Sequence, residues 1–455
     1  MQVFNRHVSG RGLTVFGFET VLITGAILTA AQLHGSFDSA AGGVWRVVVI
    51  TALCELCFYY NDLYDLTVVH SNRELVVRLL QGTGAATIVL AVACVAFPAL
   101  LLDPSTYVTA LGVLVVAVLT WRLAFNRLSH TPNLAERVLI IGTGLTARTL
   151  AQQIGRQRDF AYRLIGFVDE SDGPSMIRQH DVLGSTADID RIVVTRHVDR
   201  IVVGLSDRRG RLPIEQLLRA KMSGVRVEDA TTTYERLTGK ILVDSLKPSW
   251  LIFSDGFRAS RITWFVKRML DLSLSIILAI ATLPLMLLTA IAIKLDSRGP
   301  LLYSQERVGQ AGRHFTLYKF RSMRTDAETG TPIWARDNDD RITRIGRFIR
   351  LTRLDELPQL WNVLRGDMSF VGPRPERPFF VKQLEQAIPF YVARLTVKPG
   401  LTGWAQVKYR YGASVEDALE KLRYDLYYIK HCSLLFDLTI VIDTVKVIVC
   451  AKGAQ

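Results

Sequence analysis

The chain has 455 residues, of which 49% are hydrophobic, and it carries a formal net charge of +13 at pH 7. Its mean hydropathy is positive, so part of it is expected to lie in lipid. A basic excess suits nucleic acid, anionic lipid or phosphate-bearing substrates. The apolar content favours the last two. No zinc-finger spacing or aromatic-interleaved basic patch argues for nucleic acid, so no nucleic-acid partner is expected.

Two small features are interpreted as structural. Cys54 and Cys57 form a lone CxxC inside an apolar segment with no second pair, which favours buried small hydrophobes over a metal or redox site. The first apolar run is long and lacks a small-residue cleavage site, so we expect an anchor rather than a cleaved signal peptide.

Four apolar stretches near the N-terminus each approach the roughly 20 residues that a helix needs to cross a bilayer. They are Leu13–Leu33, Val44–Tyr60, Leu79–Leu102 and Tyr107–Ala124. Basic residues flank one side only: Arg6, Arg11, Arg73, Arg78, Arg122 and Arg127. The loops near Asp38 and Asp103 lack Lys and Arg. The positive-inside rule therefore predicts that both ends of this bundle are cytoplasmic.

The next segment, to about residue 250, alternates strand and helix patterns, which predicts a parallel, doubly wound sheet. In "RVLIIGTGLTARTLAQQI", Gly142 and Gly144 resemble a dinucleotide-binding turn. Asp169 and Glu170 end the next strand, where a ribose-binding acid would lie. Nothing downstream resembles the acid–base pair of a dehydrogenase. That favours a Rossmann-like scaffold with no ligand, or with a regulatory nucleotide.

The segment from Arg258 has a basic entry, a long apolar run and a basic exit near Arg298. A fifth membrane crossing is the simplest interpretation. Pro284 lies in the middle of the run, where it removes a backbone hydrogen bond and bends a helix. Cations at both ends fit a helix that enters and leaves on one face of the membrane. We therefore predict a re-entrant helix over about 262–295 that breaks at Pro284.

The stretch "TRLDELPQLWNVLRGDMSFVGPRP" contains the adjacent acids Asp355 and Glu356. The spacing of Leu357, Leu360, Trp361 and Leu364 predicts an apolar helix face, with the two acids at its N-terminus. Helix capping alone would explain one or both acids. It does not explain the surrounding arginines, which recur every third residue along one predicted helix side: Arg341, Arg344, Arg347, Arg350 and Arg353. A solvated face or a lipid-phosphate surface is the alternative for this stripe.

These residue types together suit phosphoryl chemistry. A carboxylate can attack phosphorus and form an acyl phosphate, and a second carboxylate can hold Mg²⁺ beside a diphosphate. Arginines clamp phosphate oxygens in pairs of hydrogen bonds. Among so many cations, the attacking carboxylate is expected to have a low pKa and to stay ionised.

Several blocks in one order resemble the bacterial sugar transferase family, the monotopic polyprenyl-phosphate glycosyl-1-phosphate transferases. They are "KRMLDL", "GPLLYSQERVGQAGRHFTLYKFRSM", "LDELPQLWNVLRGDMSFVGPRP", "KPGLTGWAQV" and "YDLYYIKH". The resemblance covers about Arg261 to Ala451. The front half resembles the large members that initiate exopolysaccharide or O-antigen assembly.

The resemblance implies roles for individual residues. Asp355 matches the nucleophile and Glu356 the Mg²⁺ ligand. Lys319, Arg350 and Arg374 match residues that bind phosphates or nucleotide, and we expect Arg321 to bind substrate as well. The family often breaks its re-entrant helix at Ser-Pro, whereas this chain has Leu283-Pro284, with Thr282 as a substitute for the missing hydroxyl.

The expected architecture is a membrane protein with three parts. A four-helix transmembrane bundle occupies 1–130, a Rossmann-like α/β domain 131–250, and an α/β monotopic catalytic domain 251–455. The expected reaction moves a sugar-1-phosphate from a UDP-sugar to polyprenyl (undecaprenyl) phosphate at the cytoplasmic face of the bacterial inner membrane. The sequence does not name the sugar. A homodimer through the front domains is one prediction for the oligomeric state.

Two other functions stay open at this point. A nucleotide-sugar oxidoreductase working through Gly142 and Gly144 would need a Tyr-x-x-x-Lys base, but Tyr427 to Lys430 is only "YYIK". A non-catalytic membrane scaffold for polysaccharide export would leave the acid pair unexplained.

Overall fold

We describe the protein from a computed structural model. The described residues are 2–3, 6–7, 10–35, 41–61, 63–64, 72–101, 103–129, 135–156, 162–169, 181–205, 211–246, 256–257, 260–325, 327, 341–409, 412 and 414–449. Asp38, Glu170 and Arg258, which the sequence singled out, lie outside them. The chain divides into two compact units, Met1–Ala230 and Thr231–Gln455, and the three predicted domains stay a prediction.

The first unit begins with a short antiparallel strand pair, β1 (Gln2–Val3) and β2 (Arg6–His7). Four helices follow: α1 (Gly10–Leu33), α2 (Ala41–Tyr60), α3 (Asn72–Ala96) and α4 (Pro104–Ser129). Each contains a stretch long and apolar enough to cross a membrane, which confirms the four predicted apolar helices. The third ends at Ala96, earlier than predicted, because the position before Pro98 disfavours helical backbone.

A parallel five-stranded sheet completes the first unit, in the order β5-β4-β3-β6-β7. Its strands are β3 (Glu136–Ile141), β4 (Tyr162–Val168), β5 (Val182–Gly184), β6 (Arg200–Val203) and β7 (Arg226–Asp229). The connecting helices are α5 (Leu145–Arg156), α6 (Ile189–Arg196) and α7 (Ile214–Met222). Leu139, Ile141, Val168 and Ile201 are fully buried between these layers. The prediction of a parallel sheet with alternating helices is confirmed.

The second unit starts with α8 (Ala230–Thr238) and the long helix α9 (Arg261–Asp296). An antiparallel hairpin, β8 (Leu302–Val308) and β9 (His314–Phe320), pairs in full register. A short parallel pair, β10 (Ser369–Val371) and β11 (Gly400–Thr402), lies in the centre. The remaining helices are α10 (Arg344–Leu351), α11 (Gln359–Arg365), α12 (Pro378–Ala387), α13 (Trp404–Lys408), α14 (Val415–Lys430) and α15 (Leu434–Val449).

Helix α9 runs through Pro284 without interruption. Proline at 284 cannot donate to the carbonyl of Ile280. The Thr282 hydroxyl donates to Leu278 O at 2.7 Å instead, so it does not replace the missing bond. Pro284 therefore does not end the helix, and the re-entrant path stays a prediction.

Both ends of α9 are attached to the second unit. Near its start, the ammonium of Lys267 donates to Asp437 Oδ2 at 2.6 Å in a buried pair with α15. Just after its end, Arg321 donates to Ser297 O at 2.8 Å. Large apolar side chains are exposed along the middle: Ile276, Ile277, Ile280, Leu283, Leu285, Leu287, Leu288 and Ile291.

Candidate active site

The predicted acid pair lies in a tight turn between two helices. Leu354–Glu356 forms a single 3₁₀ turn, preceded by Arg353 in the left-handed region at φ +59°. Helix α11 begins only at Gln359, with Pro358 as its N-cap. The acids therefore lie just before the helix rather than in its first turn. The predicted apolar face of α11 is only partly correct, because Leu360 is buried whereas Trp361 is 60% exposed.

Two cationic side chains donate hydrogen bonds to one oxygen of Glu356. Lys319 Nζ on β9 donates to Glu356 Oε1 at 3.0 Å, and Arg374 Nη2 donates to the same oxygen at 2.9 Å. Burial alone would raise the pKa of this carboxyl, but Arg374 and Lys319 outweigh it and hold the pKa well below its usual range. Glu356 is therefore ionised at neutral pH.

Asp355 has the opposite electrostatic environment. Its side chain is buried, and among the described residues its Oδ1 has no hydrogen-bond partner. Burial raises the pKa of Asp355 and adjacent Glu356 raises it further, although Lys319 lowers it. The expectation of a low pKa for this carboxyl was therefore wrong. The cations favour the ionised form, but desolvation is the larger effect.

The arginine stripe is shorter than predicted. Helix α10 spans Arg344–Leu351, so Arg344, Arg347 and Arg350 share a helix. Arg341 precedes it and Arg353 follows it in a left-handed turn. Arg350 and Arg353 lower the pKa of Asp355 through their charges, after burial, Lys319 and Glu356, so both lie within electrostatic reach of the acid pair.

Arg321 does not join this group. Its buried guanidinium donates to Arg298 O at 2.9 Å, and to Ser297 O and Oγ at 2.8 and 2.9 Å. These contacts hold the end of α9. The predicted contact of Arg321 with substrate stays a prediction.

Two further contacts position Arg374, and sequence reasoning missed both. Arg374 Nη1 donates to Gln406 Oε1 at 3.0 Å. The buried Arg394 donates to Arg374 O at 2.9 Å and pairs with buried Asp425 at 2.9 Å. Gln406 belongs to the "KPGLTGWAQV" block and Asp425 to "YDLYYIKH". The match of these blocks to the family was therefore a signal that Gln406 and Asp425 could belong to the site.

Asp355 and Glu356 suit a magnesium site that is completed by water and substrate, and not one built from protein ligands alone. In the described part of the chain, no three His, Cys, Asp or Glu side chains form a group that could hold a metal. Mg²⁺ is often bound by one or two carboxylates, with water and substrate phosphate oxygens completing its shell. Asp355 Oδ1, buried and unpartnered among the described residues, and Glu356 fit that type. They do not fit a cage built from protein alone.

The glycine turn of the first unit has a structural explanation. Gly142 has φ +96°, and a Cβ there would lie 3.1 Å from Leu205 Cδ2 and 3.3 Å from the backbone of Gly204. The Thr143 hydroxyl hydrogen-bonds to Asp169, the acid expected to bind a ribose. Nucleotide binding at Gly142 and Gly144 stays a prediction.

Comparison with known proteins gives one family. The model of the family described as "Bacterial sugar transferase" matches residues 262–451. The chain is 43% identical over 239 residues to a UDP-N-acetylgalactosamine-undecaprenyl-phosphate N-acetylgalactosaminephosphotransferase of Aeromonas hydrophila, covering 52% of this chain and 56% of that protein. It is 36% identical over 338 residues to an undecaprenyl-phosphate glucose phosphotransferase of Komagataeibacter xylinus, covering 71% and 62%.

A third relative is matched over more of its length. It is a UDP-glucose:undecaprenyl-phosphate glucose-1-phosphate transferase of Caulobacter vibrioides, 43% identical over 190 residues, with 41% of this chain and 71% of that protein covered. By contrast, the chain spans a little over half the length of the first two relatives. The match to the family model and this coverage show that the chain belongs to the bacterial sugar transferase family.

Proposed function

We propose that the protein transfers a sugar-1-phosphate from a UDP-sugar to undecaprenyl phosphate, giving an undecaprenyl-diphosphate-sugar and UMP. The observation that carries this proposal is the Asp355–Glu356 pair, with Asp355 buried and Glu356 partly buried, and with Lys319 and Arg374 both donating to Glu356 Oε1. The names of the family relatives support undecaprenyl phosphate as acceptor.

The reaction has two displacements at one phosphorus. An ionised oxygen of Asp355 attacks the β-phosphorus of the donor, the bond to the bridging oxygen breaks, and UMP leaves with the electron pair. A phosphate oxygen of undecaprenyl phosphate then attacks the same phosphorus, and the bond to Asp355 breaks. Mg²⁺, held by Glu356 and Asp355, would supply positive charge to the diphosphate.

The environment of each residue suits its part. Asp355 is desolvated and carries a raised pKa, and a more basic carboxylate is a stronger nucleophile once ionised. Lys319 and Arg374 supply fixed positive charge where negative charge develops on the phosphoryl group. Arg350 and Arg353 add positive charge within electrostatic reach of Asp355.

We also propose that α9 is re-entrant and that the catalytic unit lies on the cytoplasmic face of the inner membrane. The support is the attachment of both ends of α9 to one unit and the exposed apolar residues between them. Single cysteines at Ile262 and Leu295 should react with an impermeant maleimide only in inverted vesicles. Labelling of Leu295→Cys from the outside would refute the re-entrant path.

The first experiment is UMP release by the purified full chain in nanodiscs, with undecaprenyl phosphate, Mg²⁺ and a panel of UDP-sugars. A panel is needed because the relatives' names carry different sugars. We expect release with at least one donor, and loss by more than about 10³-fold in Asp355→Asn, as expected when a catalytic nucleophile is removed. Asp190→Asn, at a side chain of α6 that is 46% exposed, is the matched control.

A second readout tests the covalent step. With the active UDP-sugar and no acceptor, the intact mass of the protein should increase by one sugar phosphate, and Asp355→Asn should show no increase. No UMP release with any donor from well-folded protein would reject the proposal and favour the scaffold. Release without a covalent adduct would reject the two-step route alone.

A further inference from the structure

The ends of the two central parallel strands bring Arg374 and Gln406 together. Strand β10 leads through Gly372 to Arg374, and β11 leads through Gly403 to Gln406. The two turns touch through their backbones: Gly372 N donates to Thr402 O at 2.9 Å. A Cβ at Gly403 would lie only 2.2 Å from Gly372 O. This close approach fixes the position of Gln406 beside the arginine.

The amide orientation of Gln406 follows from its partner. A guanidinium has only donors, so the Gln406 atom that faces Arg374 Nη1 at 3.0 Å must be the carbonyl oxygen. The other end is therefore the NH₂ group. That nitrogen, Nε2, is buried, and among the described residues it has no hydrogen-bond partner.

A buried donor without an acceptor destabilises the protein, because it has lost its hydrogen bonds to water and gained none in return. Gln406 Nε2 belongs to the side chain that contacts Arg374, and Arg374 contacts Glu356 Oε1. An acceptor that arrives at this group of residues with the substrate would satisfy the nitrogen. Phosphate oxygens are strong acceptors, and they are the groups that Arg374 and Lys319 are suited to bind.

We propose that Gln406 is a substrate-binding residue whose Nε2 donates to a phosphate oxygen of the nucleotide diphosphate while its Oε1 positions Arg374. This inference rests on the proposed function and names one more contact for the same site. The inference gives Nε2 and Oε1 of one amide different roles. A substitution that changes only one of these atoms can therefore test the two roles separately.

Gln406→Glu separates the two tasks. A glutamate keeps an acceptor for Arg374 and strengthens that contact through its charge, but it removes the donor and places a negative charge against the phosphate. If Gln406 binds phosphate, the Kd for UDP with Mg²⁺ should rise at least tenfold. The KM for the UDP-sugar should rise in parallel, with the KM for undecaprenyl phosphate within about threefold of wild type. Gln383→Glu, the same change at an exposed position of α12, should leave all three unchanged.

UDP binding is measured by calorimetry on the full chain in nanodiscs, so it does not depend on turnover. If Gln406→Glu binds UDP as wild type does, Gln406 only positions Arg374 and the inference is overturned. A rise confined to the KM for undecaprenyl phosphate would place the contact on the acceptor and would also overturn it. Gln406→Ala, which removes both ends, should weaken UDP binding as well, and unchanged melting temperatures confirm that the variants are folded. Failure of wild type to release UMP would reject the proposed function, whereas the UDP comparison would still decide the role of Gln406.

Discussion

The Arg394–Asp425 pair offers a quantitative test of how the second unit supports its site. The two side chains are only 6% and 3% exposed, and their charged atoms are 2.9 Å apart. Arg394 also donates to Tyr391 Oη at 2.6 Å and to Arg374 O at 2.9 Å. Replacing Arg394 by leucine would leave a carboxylate buried without its counter-charge, which costs about 3–5 kcal/mol.

That free energy converts into a large change in melting temperature. For a unit of about 150–250 residues, each kcal/mol shifts the melting temperature by roughly 2–4 °C, so Arg394→Leu should lower it by about 6–20 °C. The double variant Arg394→Leu, Asp425→Leu leaves no buried charge and should recover part of the loss, because isosteric apolar replacement of a whole pair is often near neutral. The measurement is thermal unfolding of the full chain in nanodiscs.

A surface pair supplies the control. Arg365 is 61% exposed and lies 3.6 Å from Asp367, so Arg365→Leu should cost about 0–1 kcal/mol. The reasoning is refuted if Arg394→Leu melts like the control, or if the double variant is no more stable than the single one. UMP release adds a second test. A recovered double variant should still be slower than wild type, because the carbonyl of Arg374 has lost its donor.

Two further predictions concern the acid pair. Because burial raises the pKa of Asp355 and the reaction needs it ionised, kcat/KM should rise with pH through a pKa above the ordinary aspartate value. A pH–rate profile with its acid limb at or below that value would contradict this. The two variants should also differ in stability at pH 7: Asp355→Asn should be neutral or stabilising. Glu356→Gln should cost about 1–3 kcal/mol, because the amide oxygen can still accept from Lys319 and Arg374 but the negative charge that strengthens both hydrogen bonds is lost. The Glu356 contribution, from a pKa held low by Arg374 and Lys319 against burial, is present above the unfolded pKa and lost as pH falls through the folded one. Melting temperatures that shift in the same direction for both variants would contradict the assignment.

The sequence predicted the elements whose signals are local. Apolar runs of membrane-spanning length predicted α1 to α4, and alternating strand and helix patterns predicted the parallel sheet. The acid pair and two of its cations, Lys319 and Arg374, were correctly grouped. Arg321 donates to backbone carbonyls at the end of α9, and the sequence could not distinguish such a guanidinium from one that binds phosphate.

What the sequence could not supply was the tertiary environment of each group. A three-residue spacing of arginines predicted one helix, but the backbone leaves helical geometry at Arg353. The count of nearby cations predicted a low pKa for Asp355, but burial, which has no local sequence signal, outweighs them. The contacts of Arg394 and Gln406 with Arg374 join residues 20 and 32 positions apart, beyond the reach of a helical or strand pattern.

The different roles of Asp355 and Glu356 follow from the hydrogen bonds that Lys319 and Arg374 make. Lys319 and Arg374 both donate to Glu356 Oε1, and these contacts stabilise Glu356 as an anion. Asp355, one residue earlier in the 3₁₀ turn, is left desolvated, with an oxygen that has no partner among the described residues. Neighbouring carboxyls whose surroundings move their pKa values apart can take different roles in one reaction. The carboxyl with the lowered pKa suits a fixed ligand for a cation, and the one with the raised pKa suits an attack on phosphorus. If the roles were reversed, the attacking oxygen would first have to leave two hydrogen-bonded cations, which would add their interaction free energy to the barrier.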